Sequence, residues 1–599
     1  MHVLGIEGTA WAASAAVFDT DLDADGSDPL CIETDAYVPD SGGLHPREAA
    51  EHMAEAIPRV IEGALEAERE RGEEGRVGID AVAFSRGPGL GPCLRIVASA
   101  ARAFSLSRGV HLLGVNHMIA HAEIGRDRSG FAAPICLNAS GANAHVLGYR
   151  NGRYRVLGET MDTGVGNALD KFARHLEWSH PGGPKIEAAA EEGEYLPLPY
   201  VVKGMDLSFS GLTSAAKGAI DDGEAVEDVC YSLQETIFAM LAEVAERALS
   251  LTDAEELVLG GGVGQNARLQ DMLGEMCRAR GADFYAPEAR LLRDNAGMIA
   301  ALGAKMYAAG DTLPVADSRV RPDFRPDEVA VSWPVAEPGR SKNFRATARG
   351  VSDGDDLVDP DDRDDPADPG GSGDLDAEAV VRGAESVVEI DREAGRVVKR
   401  RPRKAYRHPA LDERLGRERT VLEARLTSGA RRFGVPTPVI EALDVRERSL
   451  TFEYVGEKDL RDLLGTSLES ASSGDTSPAT AAIERVARHL ATLHNVGIVH
   501  GDPTTRNVRV SPSENPGSDR SSTGSSAIDR AYLIDFGLGY HTGRAEDHAM
   551  DLHVFGGSLA GTAENADTLR ERFEAAYATV GEEAVLDRLR EIEGRGRYQ

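Results

Sequence analysis

"VLGIEGTA", Val3–Ala10, decides how the first part of the chain is read. An apolar strand run stops at Glu-Gly-Thr, a turn without bulky side chains where backbone can approach a phosphate closely. The same construction recurs in "IDAVAFSRGPG" (Ile79–Gly89), "HLLGVNH" (His111–His117), "APICLNASG" (Ala133–Gly141) and "EELVLGGG" (Glu255–Gly262). Each is an apolar run closed by Gly or polar residues, and Ala-rich helical stretches lie between them. The alternation predicts an α/β fold over residues 1–330 with functional loops at strand ends. Three loops, at Glu7–Thr9, Leu137–Asn143 and Gly260–Gly264, predict a nucleotide clamped between two half-domains. Asn266 opens a helix behind the third loop, and a helix N-terminus favours an anion.

The 599 residues allow two or three domains. No run of about 20 apolar residues predicts a membrane span. No basic N-terminal region followed by an apolar segment predicts a secretory signal. The five cysteines, Cys31, Cys93, Cys136, Cys230 and Cys277, are too far apart for a CxxC pair. They read as reduced thiols of a cytosolic protein. Acidic residues number 99 against 66 basic, a net charge of −33. That balance could repel nucleic acid, or it could be an adaptation to a salt-rich cytoplasm. The acid is spread along the whole chain, which favours the second reading. At about 1 M salt the Debye length is only about 3 Å, so the charge does not exclude a nucleic-acid substrate.

From Gly350 to Asp376 the chain is almost entirely Asp, Gly, Pro and Ser. Such a stretch buries no apolar area and predicts a solvated linker at residues 331–376. A second domain is expected at 377–599, interrupted by Ser-rich surface inserts at Thr466–Thr480 and Ser511–Ala527.

In the first domain "NHMIAH" places His117 and His121 four residues apart, on one helix face, where they can chelate one metal. Asp294, in "LLRDNAGMIA", is a candidate third ligand. Metalloprotease chemistry is not expected, because Met118 stands where HExxH has its glutamate.

"GIEGTA", "SRGPGLGPCLR", "VNHMIAH", "GNALDKFAR", "HPGGPKIE", "DLSFSGL", "GGGVGQNARL" and "DNAGMIA" follow one another in order. Together they resemble the universal tRNA threonylcarbamoyladenosine transferase family, formerly called O-sialoglycoprotein endopeptidase, over residues 1–325. The resemblance implies the two-lobed actin/Hsp70/sugar-kinase fold around a nucleotide cleft. It makes His117, His121 and Asp294 ligands of a catalytic iron or zinc. It sets threonylcarbamoyl-adenylate against Asn138, Ala139, Ser140, Gly141 and Ala142, and against Asp170, Gly183, Glu187 and Asn266. Two positions depart from the family: Asn138 stands where a metal-reaching Tyr is usual, and Ala142 where Gly is usual. Asn138 would be a weaker, neutral metal ligand.

The second domain has kinase-type spacing. Lys399 in "VVKRR" follows a turn at Gly383–Glu385, and Glu423 in "RTVLEARL" is its helical partner. "FEYVG" (Phe452–Gly456) reads as a hinge between lobes; "HGDPTTRN" supplies Asp502 and Asn507, and "LIDFGLG" supplies Asp535. In this pattern Gly383, Glu385, Lys399 and Glu423 hold ATP, Asp502 is the base, and Asn507 and Asp535 hold Mg²⁺. The second domain has no G-x-G-x-x-G, and no A-P-E follows Asp535. With "KAYRHPALDERL" and the closing "EGRGRYQ", these features resemble the small atypical kinase of the KEOPS complex, related to the p53-related protein kinase.

The joint resemblance implies a bifunctional archaeal chain. Its transferase would modify N6 of adenosine 37 in tRNAs reading codons that begin with A. The kinase or ATPase would regulate or drive this, with small KEOPS subunits and a separate threonylcarbamoyl-AMP synthase as partners. A small-molecule kinase is disfavoured, since it needs Mg²⁺-ATP and no His-bound metal. A signalling kinase with an attached scaffold is disfavoured by the missing A-P-E segment.

Overall fold

The computed structural model describes residues 1–24, 26–37, 45–71, 78–150, 152–335, 379–466, 477–512, 528–563 and 565–595. The stretch Gly350–Asp376 and most of both Ser-rich inserts lie outside the described residues.

The opening strand β1 (His2–Glu7) is the centre of a five-stranded sheet. It pairs antiparallel with β2 (Ala12–Asp19), which pairs with β3 (Leu30–Ala36). On its other side it pairs parallel with β4 (Ile79–Gly87), and β4 with β5 (His111–Asn116). The sheet order is therefore β3-β2-β1-β4-β5. A second sheet repeats the plan around β6 (Ile135–Ala139). Here β6 pairs antiparallel with β7 (Ala144–Arg150), which pairs with β8 (Arg153–Glu159). It pairs parallel with Glu256–Gly260, and that strand with Asp283–Tyr285. Two copies of one topology facing each other are the two-lobed arrangement expected from the sequence.

Helices cover both faces of the first sheet, which is why β1 reads as a continuous apolar run. Helix Pro46–Arg71 packs on β2 and β3, and helix Ala296–Ala308 on β1, β2 and β4. Gly5 makes the second packing possible. A Cβ there would lie 2.4 Å from the Ala296 carbonyl oxygen, so only glycine lets the helix start come this close to the strand. Asp294 stands two residues before that helix and is set by this contact.

The C-terminal part begins with a five-stranded antiparallel sheet. Strand Arg396–Arg400 is its centre, and helix Pro409–Arg432 accompanies the sheet. Helices Pro478–Asn495, Ala545–Thr562, Ala566–Tyr577 and Glu583–Arg595 form a second, helical lobe. It has its own apolar core, which includes Leu490, Phe536, Phe555 and Phe573. This is the small bilobal kinase-like architecture. All five cysteines are free and buried. Among the described residues no helix is long and apolar enough to cross a membrane.

The two parts are packed together along helix Val226–Thr252. Tyr406, from the C-terminal part, sits in the N-terminal core, and its hydroxyl donates to Glu246 at 3.0 Å. Full burial of an aromatic side chain contributes about 1.5–3 kcal/mol.

Candidate active sites

His117 and His121 occupy the first two turns of helix His117–Ser129, which Asn116 caps through the Met118 and Ile119 amides. The Nε2 atoms of both histidines lie 3.3 Å from Asp294 Oδ1. His117 Nδ1 donates to Glu7 Oε2 at 3.1 Å, and Glu7 is fully buried at the end of β1. Glu7 thus fixes the His117 ring and leaves Nε2 facing Asp294. The sequence had offered Glu7 only as part of a phosphate turn.

Burial by itself would lower the His117 pKa, but the Glu7 and Asp294 carboxylates more than offset it and push it up to about 10. For His121 burial wins over the Asp294 hydrogen bond and holds the ring below its ordinary value. Asp294 is held well below the carboxylate range, because the two histidines outweigh its burial. A proton shared among these groups stands where a divalent cation can stand. The donor set fits one. Two imidazoles and a carboxylate offer atoms all within 4.8 Å of one another, and the buried His121 Nδ1 has no hydrogen-bond partner.

Loop Asn138–Ala142 leaves β6 beside this cluster. Asn138 is fully buried; its Nδ2 lies 3.7 Å from Met118 Sδ, and its Oδ1 accepts no hydrogen bond. Gly261, at φ 85°, lets the neighbouring glycine loop touch this one. A Cβ there would lie 2.3 Å from the Ala139 oxygen. Ala142 is not among the described non-glycine residues with positive φ, so alanine there carries no backbone strain. The loop is pinned to helix Val165–His175 by Gly166 N to Ser140 O and Asn167 N to Gly141 O, at 3.2 and 2.8 Å. Asp170, on that helix, accepts from Gly182 N at 2.7 Å and pairs with His180 at 3.1 Å. It thereby fixes the turn into helix Gly183–Ala190. From that helix Glu187 accepts from Ala267 N at 3.0 Å, and Asn266 caps helix Ala267–Arg280 while donating to Gln234. The predicted adenylate contacts thus form one hydrogen-bonded frame.

In the C-terminal cleft Lys399 Nζ lies 2.9 Å from Glu423 Oε1 and 2.6 Å from Asp535 Oδ1. Asp535 is in the left-handed region at φ 65°, a costly conformation that clusters at functional sites. Burial raises its pKa, but Lys399 and Arg401 outweigh that and hold it well below the carboxylate range. Asn507 Nδ2 donates to Asp502 Oδ2 at 3.1 Å and to its carbonyl at 2.8 Å. Asp551 anchors the loop by accepting from His500 N and Gly501 N. Burial raises the Asp502 pKa more than nearby Arg247 lowers it. Gly383 forms a tight turn with Ser386, whereas the Glu385 carboxylate pairs with Arg407 at 2.9 Å and Arg419 at 2.6 Å.

The family described as tRNA N6-adenosine threonylcarbamoyltransferase matches residues 30–301. A Haloarcula marismortui protein is 59% identical over 608 residues, spanning 100% of both chains. One from Halobacterium salinarum is 59% identical over 600 residues, covering 100% of this chain and 99% of its own. One from Methanoculleus marisnigri is 47% identical over 598 residues, covering 100% and 98%. Each bears the name "Probable bifunctional tRNA threonylcarbamoyladenosine biosynthesis protein". The chain belongs to this bifunctional tRNA threonylcarbamoyladenosine biosynthesis family.

The sequence reading missed the seam between the transferase and kinase-like halves of this family member. Glu243, fully buried on helix Val226–Thr252, receives Arg407 at 2.7 Å and Arg419 at 3.0 Å from the kinase-like half. It also receives Arg247 at 2.9 Å and the Tyr200 hydroxyl. Lys203 pairs with Asp547 at 2.7 Å further along. Charged partners 164 and 176 residues apart leave no local pattern to read.

Proposed function

We propose that the transferase half moves the threonylcarbamoyl group from threonylcarbamoyl-AMP to N6 of adenosine 37 in tRNAs reading codons that begin with A. The observation that carries this reading is the convergence of His117, His121 and Asp294 beside the paired glycine loops of the second sheet. The adenine amine nitrogen bonds to the carbamoyl carbon and releases one proton to solvent, the bond from that carbon to the phosphate oxygen breaks, and AMP leaves with the electron pair. His117, His121 and Asp294 would hold one Fe²⁺ or Zn²⁺, with Asn138 as a weaker neighbour. When bound, that ion supplies Lewis acidity toward a carbonyl. Glu7 holds the His117 ring so that Nε2 points inward. Amides of the Asn138–Ala142 and Gly260–Gly264 loops would cradle the adenylate phosphate. Asp170 and Glu187 stiffen the frame that Gly183 and Asn266 belong to, so the loops are ordered before the ligand arrives.

The kinase-like half would bind Mg²⁺-ATP, with Lys399 on the phosphates, Asn507 and Asp535 on Mg²⁺ and Asp502 on the nucleophile. Gly383 would lie over the phosphates. Glu385, expected to face ATP, is tied to the seam and would order that turn indirectly. The domains would be 1–330 and 377–599 with a linker at 331–376, except that Trp333 is buried in the first domain's core and donates to Glu123. The partners would be small KEOPS subunits for dimerisation and tRNA docking and a separate threonylcarbamoyl-AMP synthase, in the cytoplasm.

The test is nucleoside analysis of tRNA after incubation with the full chain, its KEOPS partners and threonylcarbamoyl-AMP. N6-threonylcarbamoyladenosine is expected at position 37. Its absence with folded, metal-loaded protein refutes the reading.

A further inference from the structure

We propose that Arg247, a residue of the transferase half, is a positioning residue of the kinase-like site, holding Asp502 by one oxygen so that the other faces the nucleophile. This rests on the reading that the kinase-like half uses ATP. Arg247 lies on helix Val226–Thr252 and is only 8% exposed. Its own half fixes it. Nη2 donates to Glu243 at 2.9 Å, and Nη1 donates to the Gly204 carbonyl at 3.0 Å. Nη1 also lies 3.8 Å from Asp502 Oδ2, across the seam.

The side chains that hold Asp502 share a side. Asn507 Nδ2 donates to the same Oδ2 atom that the Arg247 guanidinium faces at ion-pair distance, and among the described residues no side chain donates to Oδ1. A carboxylate that takes a proton from an attacking hydroxyl needs one oxygen aimed and the other restrained. In the step itself, the hydroxyl or water oxygen bonds to the γ-phosphorus of ATP. The bond to the β,γ-bridging oxygen breaks, ADP leaves with the electron pair, and Asp502 accepts the proton.

Among the described residues no cation of the kinase-like half does this work for Asp502. Within the loop Asp502–Asn507 the only basic residue is Arg506, and its guanidinium pairs with Asp253. Lys399 is engaged by Glu423 and Asp535. Among the described residues Arg247 is the one cation within ion-pair distance of Asp502. The contact also depends on docking. Glu243, which orients Arg247, is itself held by Arg407 and Arg419 from the far side. The site is therefore complete only while the helix is seated.

The experiment measures ATP turnover by the full chain carrying Arg247→Gln or Arg247→Lys, with hydrogen exchange of helix Val226–Thr252 as the docking readout. Small displacements of a catalytic group cost up to about 100-fold. The expectation is a kcat lowered at least about tenfold in Arg247→Gln, KM for ATP within about twofold, helix protection retained, and an intermediate kcat in Arg247→Lys. An Arg247→Gln kcat within about twofold of wild type overturns the proposal. So does a change shared by kcat and KM together with lost helix protection in both variants, which marks a docking defect. If the wild-type chain turns over no ATP, the underlying reading fails, and this is told apart because the unmutated protein is already silent.

Discussion

In the transferase cleft every charged group of the metal-ligand cluster comes from the transferase half, whereas in the kinase-like cleft the cation beside Asp502 comes from the other half. The first cluster is closed upon itself: Glu7, His117, His121 and Asp294 pair with one another in a buried pocket. The second is divided. Lys399, Glu423 and Asp535 are complete within their half, while Asp502 and Glu385 are tied to residues of the seam. One site is thus set by its own fold and the other by association. Separating the halves should leave the first intact and impair the second.

The largest effect tests the closed cluster. His117→Ala or Asp294→Ala removes one of three charged or imidazole donors. Each should strip most bound metal and lower transfer by about 100-fold or more, while ATP turnover persists. Elemental analysis of the purified double variant decides it, and full metal occupancy there would sink the assignment. Next comes Asp502→Asn, which keeps the shape and removes the base. ATP turnover should fall by about 100-fold or more with metal content unchanged. Repeated rounds of tRNA modification should slow, and a normal multiple-turnover rate would show that the two activities are uncoupled. Third, Glu243→Ala leaves Arg247, Arg407 and Arg419 without their common carboxylate. A broken buried pair of this kind costs about 3–5 kcal/mol, which calorimetry should register as a lowered thermal midpoint. Wild-type stability in that variant would mean that the seam is not held here. The smallest effect concerns the exposed acid. Between about 0.1 M and about 2 M KCl the midpoint should rise by several degrees, as screening relieves self-repulsion. A flat response would contradict the salt-adapted reading.

The sequence made the plan of each half legible for a simple reason: strands covered on both faces read as apolar runs, and their functional ends read as glycine. The His117–His121 pair was legible because helical spacing puts both on one face. Glu7 was visible only as a turn residue, since its partner lies 110 positions away and no period connects them. Glu385 was read from its place beside Gly383, and the two arginines that engage it could not be seen from there. Arg247 sits in a helix whose middle is buried on nearly every side, so its face could not be assigned by amphipathicity.

Helix Val226–Thr252 also has a history during synthesis. It is complete when Thr252 has been made, but the residues that cover Ala239, Glu243 and Glu246 run from Lys404 to Arg419, the later ones on a helix that ends at Arg432. About 180 residues separate the two, on the order of 10–40 s of translation at typical rates. Throughout that interval Glu243 has Arg247 and Tyr200 of its own half as partners but lacks Arg407 and Arg419. Its burial among arginines must then be a late step, when the second half arrives on the same chain. A nascent transferase released before that point would carry a wet, acidic scar where its seam should be.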